Sequence, residues 1–215
     1  MNINTAEVFE IVIRSLYVTV TATCMATIIG IILSIIIYLG KFKFKNELIS
    51  IINSLMSTPP VIMGLVVFLI LSRKGPLGNL QLLFTPTAMI IAQLFLLIPI
   101  SMSLTIDCLN KSGEDILNTC KILQANKKDT VIILIKEIKY HIITVVIATF
   151  GRGISEVGAV MLVGGNIRGK TRVMTTYIAQ STSMGNFDES LMIAVILLSI
   201  SFISTFFIRR LQREK

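Results

Sequence analysis

Few side chains in this sequence could do chemistry, and most of them gather between residues 150 and 176. Arg152 and Glu156 stand four residues apart inside an apolar run, with Gly151, Gly153 and Gly158 around them. On a helix, residues at that spacing share a face and can pair, although Arg before Glu is the weaker order. Just downstream, Gly164-Gly165-Asn166-Ile167-Arg168-Gly169-Lys170-Thr171 satisfies the phosphate-loop pattern G-x-x-x-x-G-K-[ST]. That pattern cradles phosphate only where a buried strand feeds a helix whose first amides point at the anion. The rest of the inventory is thin. His141 is the single histidine, and Cys24, Cys108 and Cys120 have neither paired nor metal-type spacing. There is no Ser/His/Asp grouping and no carboxylate pair set for acid–base work. The sequence therefore predicts a protein without a catalytic centre, metal or cofactor of its own.

The elements that must hold these residues are apolar. Of 215 residues, 53% are hydrophobic and 15% charged, and the mean hydropathy is +0.82. Soluble domains carry about 25% charged residues, so the composition points to an all-α membrane protein. No long polar block marks a separate soluble domain. The net charge of +8 is read as basic cytoplasmic loops rather than as a nucleic-acid surface.

Apolar runs long enough to cross a bilayer, which takes about 20 residues, divide the chain into five expected spans, of which the fourth carries Arg152 and Glu156. These are 15–40, 48–72, 87–106, 140–163 and 190–208, in a single transmembrane domain covering 1–215. The first is too long for a signal-peptide core and lacks a basic start, so it is expected to stay in place. It carries two rows of small residues, Ser15-Thr19-Thr23-Thr27 and Ala22-Ala26-Gly30-Ser34, at a spacing that lets helices approach closely. Pro59-Pro60 interrupts the second span and Pro99 lies inside the third. Proline removes an amide donor, so Pro59-Pro60 predicts either a structural kink or a broken helix beside a transport path. The mixed-charge stretch 107–139 reads as short amphipathic helices in a water-facing loop, and 164–189 as a second polar loop. An external N-terminus puts Lys41-Phe42-Lys43-Phe44-Lys45, the 107–139 loop and the basic tail on the cytoplasmic side, as the positive-inside rule prefers.

Within that frame the two motifs separate. The phosphate-loop match follows a membrane span, faces outward and has no second nucleotide-binding element, so it is a chance match. Arg152 falls roughly 18 Å along a helix starting at Tyr140, near the middle of the membrane. An unpaired charge there costs roughly 2.5–3.5 kcal/mol on insertion scales. Two roles stay open: an internal ion pair that orients helices, or a gate beside an aqueous path. The three glycines would permit close helix contact or local unwinding.

Three segments carry a family resemblance: TPPVIMGLVVFLILSRKGPLG (58–78), AMIIAQLFLLIPISMSLT (88–105) and FGRGISEVGAVMLVGGNIRGKTRVMTTYIA (150–179). With these the chain resembles the membrane-spanning subunits of binding-protein-dependent ABC importers for oxyanions, nearest to the tungstate permeases, with molybdate and sulfate permeases similar but less close. The resemblance implies a type I importer permease fold, a homodimer in the cell membrane, an external oxyanion-binding protein and a separate cytoplasmic ATPase that uses the ATP. It also implies a cytoplasmic coupling helix marked by Glu-Ala-Ala…Gly. The matching positions here are Asn118-Thr119-Cys120 and Gln124, which depart from that pattern throughout. On this reading Arg152, Glu156 and Gly158, with Pro59 and Pro60, line or gate the path. Arg168, Lys170 and Arg172 face outward, where positive charge can steer an anion. The rival class, a stand-alone secondary transporter or channel, predicts coupling carboxylates or inverted repeats in the spans. Glu156 is the one carboxylate within them. A non-transporting membrane anchor would tolerate loss of Arg152 or Glu156.

Overall fold

The computed structural model describes residues 4–213, and the side chains within that range other than those of 112, 207–209 and 211–213. Among the described residues the secondary structure is helical, in the order α1 (Thr5–Leu39), α2 (Lys45–Met56), α3 (Pro60–Leu71), a 3₁₀ turn (Gly78–Leu80), α4 (Pro86–Ile122), α5 (Lys127–Glu137), α6 (Lys139–Ile154), α7 (Gly158–Gly164), α8 (Met174–Ser183) and α9 (Phe187–Arg213). Three helices, α1, α4 and α9, are individually long and apolar enough to cross a membrane; with α2–α3 and α6–α7 each taken as one bent span, the number is five.

The central contact is between α1 and α4, and small residues make it. Ala22, Ala26, Gly30 and Ser34 are buried along α1, as are Ser15, Thr19, Thr23 and Thr27. A Cβ on Gly30 would lie 2.5 Å from Ser101 Oγ, so the backbones meet where only glycine fits. Next to it Ser34 Oγ donates to the Met102 carbonyl at 3.1 Å. Lipid offers helices no hydrophobic drive to associate, so such close approach and interhelical hydrogen bonds must hold them. Around this seam Val67, Leu71, Met89, Leu96, Leu97 and Val160 bring α3, α4 and α7 into one core.

Two elements differ from the expectation, and a third takes the bent form that Pro59-Pro60 predicted. The second apolar stretch is no straight crossing: α2 and α3 meet at 99°. Pro60 opens α3 at its first turn, where a missing amide costs nothing. The 107–139 stretch is mostly helix and not a detached loop, because α4 runs on to Ile122 and spans 37 residues, about 55 Å at 1.5 Å per residue, and α5 fills most of the remainder. The 164–189 loop contains α8, whose Met174, Thr176 and Tyr177 are buried. Ser15 Oγ on α1 accepts from the Met174 amide at 2.8 Å, and Thr175 Oγ1 donates to the Glu156 carbonyl at 2.7 Å. These tertiary bonds give a polar segment a buried place. The side chains of Arg209 and Arg213, and Lys215, expected in the basic tail, lie outside the described residues.

The loops sort into two ends. Phe84 donates its amide to the Val163 carbonyl, and Arg168 reaches Glu7 near the start of α1. At the far end of α1, Tyr38 packs over Gly113 on α4. The 31 residues from Glu7 to Tyr38 separate the two ends by about 46 Å.

Candidate translocation site

The Arg152–Glu156 pair forms, but not on the face of a continuous helix. α6 stops at Ile154 and α7 restarts at Gly158, with a 57° bend between them. Arg152 occupies the last turn of α6, and Glu156 lies in the break. Arg152 Nη1 donates to Glu156 Oε2 at 3.0 Å. Glu156 Oε1 accepts the Ala159 amide at 2.9 Å, so the carboxylate also caps α7. The expected single helix over 140–163 is thus corrected: the glycines allow unwinding, and the carboxylate takes up an amide that the unwinding frees.

The pair is asymmetric. The Glu156 side chain is 2% exposed and that of Arg152 35%. Glu156 is fixed by an amide, a guanidinium and the close packing of α7. Gly158 sits under Val61, and a Cβ on Gly64 would lie 2.5 Å from the Ala159 Cα. The first turn of α3, set by Pro59 and Pro60, therefore packs directly on the glycine that follows Glu156. Arg152 has one ion-pair contact and a partly open flank beside Gly151 and Ser155, both exposed.

A buried amide that the sequence reading passed over completes the junction. Gln93 on α4 is 3% exposed, and its Nε2 donates to the Gly153 carbonyl at 3.1 Å. The Glu156 amide donates to the same carbonyl. The available signal was a lone amide side chain in the uncharged run 88–100. A groove of about 400 Å³ opens next to the break, lined by Ser155, Ala194, Leu197, Leu198, Ser201, Phe202 and Thr205. None of these lining residues is charged, and Arg152 is not among them.

At the Glu7 end of the bundle the three predicted basic residues divide. Arg168 Nη2 pairs with Glu7 Oε2 at 2.6 Å and Arg172 Nη1 with Glu7 Oε1 at 3.2 Å. Arg172 also donates to Gln180, and Arg14 donates to the carbonyls of Gly169 and Arg172. Two of the three charges are thus engaged in tying α1 to the 164–172 loop, while Lys170 is exposed. Glu7 was not singled out from the sequence, because nothing local links it to a loop about 160 residues away. The phosphate-loop-like segment is consumed by its own fold. Thr171 Oγ1 accepts the Ile167 amide and donates to the Gly164 carbonyl. The amides of Lys170, Thr171 and Arg172 all turn back on the Ile167 carbonyl. The segment follows a helix instead of a strand and presents no row of amides to an anion. Nearby, burial and the hydrogen bond donated to Glu189 push the Tyr177 phenol above its ordinary pKa.

At the opposite end Asn118, Thr119 and Gln124 are exposed, whereas Cys120 is buried. Gln124 takes φ 50° and closes α4 as the Ala125 amide reaches the Cys120 carbonyl at 2.9 Å. The turn thrusts out Ile122 and Leu123, 81% and 68% exposed. These two aliphatics were also missed; their signal was an apolar pair in a mixed-charge loop.

The bundle is one of bent apolar helices with a charge-compensated arginine at a helix break, and the chain belongs to the family of binding-protein-dependent transport system inner membrane components, whose model matches residues 16–215. It is a multi-pass permease subunit. The chain is 45% identical to the tungstate uptake system permease protein TupB of Peptoclostridium acidaminophilum, over 97% of this chain and 91% of that protein. It is 34% identical to a probable anion ABC transporter permease protein of Haloferax volcanii, over 93% and 88%. It is 26% identical to the sulfate transport system permease protein CysW of Synechococcus elongatus, over 94% and 73%.

Proposed function

We propose that this chain is the membrane subunit of an ABC importer for tungstate, and that it works as a homodimer. A binding protein delivers the anion on the outside, and a separate cytoplasmic ATPase drives the cycle. In this reading the N-terminus is external. The Tyr38 end, rich in lysine at Lys41, Lys43, Lys45, Lys121, Lys127 and Lys128, faces the cytoplasm, as the positive-inside rule favours. The substrate class is supported by the 45% identity to the Peptoclostridium protein.

The observation that carries the mechanism is the unequal hold on the two halves of the ion pair. Glu156 is buried and capped, and Arg152 is bound at one point and partly open. An anion reaching the break meets a guanidinium whose charge the carboxylate already offsets. To bind, it must take Arg152 from Glu156, and Arg152 is the half that can leave. The pair thus acts as a closed gate for anions, and release of Arg152 couples the opening of the α6–α7 junction to the substrate. Pro59, Pro60 and Gly158 set the elbow against which α7 moves. The permease makes and breaks no covalent bond. It supplies two conformations whose balance the ATPase shifts.

At the cytoplasmic end, Asn118, Thr119 and Gln124 with the protruding Ile122 and Leu123 form the contact for the ATPase. An exposed aliphatic pair at a helix end is the shape that a groove on a partner can bury. The test is ATP-driven uptake by the assembled complex in vesicles, with tungstate, molybdate and sulfate in competition. Tungstate is expected to win at equal concentration. A win for either other anion overturns the substrate, and uptake without the ATPase overturns the class.

A further inference from the structure

We propose that Gln93 is the positioning residue of the gate: from α4 it holds the end of α6 in register, so that Arg152 stays presented to Glu156. This rests on the reading of Arg152–Glu156 as the gate and deepens it.

The last carbonyls of a helix need outside donors, and at the end of α6 the Ser155 hydroxyl reaches those of Gly151 and Arg152 but not that of Gly153. The Gly153 carbonyl is met by the Ser155 and Glu156 amides from within the break and by Gln93 Nε2 from α4. Gln93 therefore joins the residue after Arg152 to the longest helix of the bundle. It reaches that carbonyl because Gly153 lets α6 close in on α1 and α4; a Cβ there would lie 3.1 Å from Leu97 and 3.3 Å from Thr19. The amide sits in a polar seam with Ser15, Thr19, Glu156 and Thr175 on the walls of a cleft between α1, α4 and the break. Among the described residues Gln93 makes the side-chain hydrogen bond from α4 to the end of α6, beside the bond that Thr175 on α8 gives the Glu156 carbonyl.

The hydrogen bond of Gln93 goes to the Gly153 carbonyl and not to Arg152 or Glu156. Its effect on transport must therefore pass through the pair, whereas a residue that only stabilises the bundle would act independently of it. This difference is testable in vesicles holding the whole transporter. Gln93→Met keeps the length and loses the donor; with one net hydrogen bond removed, uptake at limiting tungstate is expected to fall about fivefold. Arg152→Gln is expected to fall further. The double variant is expected to be no worse than Arg152→Gln alone, because the tether has nothing left to position. Thr23→Val removes a buried hydroxyl from α1 near Gly153 without touching its carbonyl, and is expected to transport normally. Multiplying losses in the double variant, or an equal loss from Thr23→Val, overturns the proposal.

A second readout does not depend on the gate being right. In a chain with its cysteines replaced by serine, Ser155→Cys is labelled by a water-soluble maleimide. Adding Gln93→Met should speed that labelling about fivefold if it frees the break. Unchanged labelling removes the positioning role even where Arg152 proves essential. Faster labelling together with normal uptake by Arg152→Gln leaves the tether standing and removes the gate.

Discussion

Removing one half of the Arg152–Glu156 pair should cost very different amounts depending on which half is removed. Arg152→Gln leaves a carboxylate that is 2% exposed with only the Ala159 amide for compensation. Stranding a buried charge costs about 3–5 kcal/mol, and the retained amide puts this case near the lower end, about 3 kcal/mol. Glu156→Gln is milder. The new amide oxygen can still accept from Ala159, and the Arg152 left behind is 35% exposed, so solvent can take over its charge and the loss is about 1 kcal/mol. For a chain of this size each kcal/mol moves the melting temperature by about 2–4 °C. Arg152→Gln should therefore melt about 4–8 °C below Glu156→Gln in one detergent or nanodisc preparation. The double variant should recover most of the gap, since no buried charge remains. Equal losses, or a worse loss for Glu156→Gln, would refute the claim that the carboxylate is the fixed half.

Two further expectations concern packing and coupling. Gly64→Ala places a methyl 2.5 Å from the Ala159 Cα and should destabilise by about 1–3 kcal/mol through overpacking; Gly151→Ala, with open space around it, should change thermal stability by less than about 0.5 kcal/mol. The double variant Ile122→Ser/Leu123→Ser removes two side chains that already face solvent. It should leave the melting temperature unchanged while lowering ATPase co-purification and ATP-driven uptake; full uptake by that variant would remove the 122–123 turn from the coupling contact.

The candidate site was partly legible in the chain. Arg152 and Glu156 stood out because charge is costly in an apolar span, and their pairing followed from the spacing. The break did not follow. A helix through 140–163 is locally acceptable, and what stops it is the fit of Gly158 under Val61 and of Ala159 against Gly64, contacts with residues about a hundred positions away. Gln93 looked like an incidental amide because its partner, Gly153, is sixty residues on. Arg168 and Arg172 looked like free cations for the same reason: Glu7 is more than 160 residues distant in sequence.

By itself the sequence determined that this is an all-α membrane protein, which small residues face inward on α1, and which two charges are out of place. These rest on composition, period and the energetics of burial, all of which are local. The tertiary structure decided where helices break, that Glu156 is the anchored half of the pair and Arg152 the movable one, that the phosphate-loop-like segment spends its amides on itself, and that Gln93 ties the gate to the scaffold. Those outcomes depend on which backbone approaches which, and in a membrane, where lipid is as apolar as leucine, such approaches are set by close packing and hydrogen bonds between distant residues.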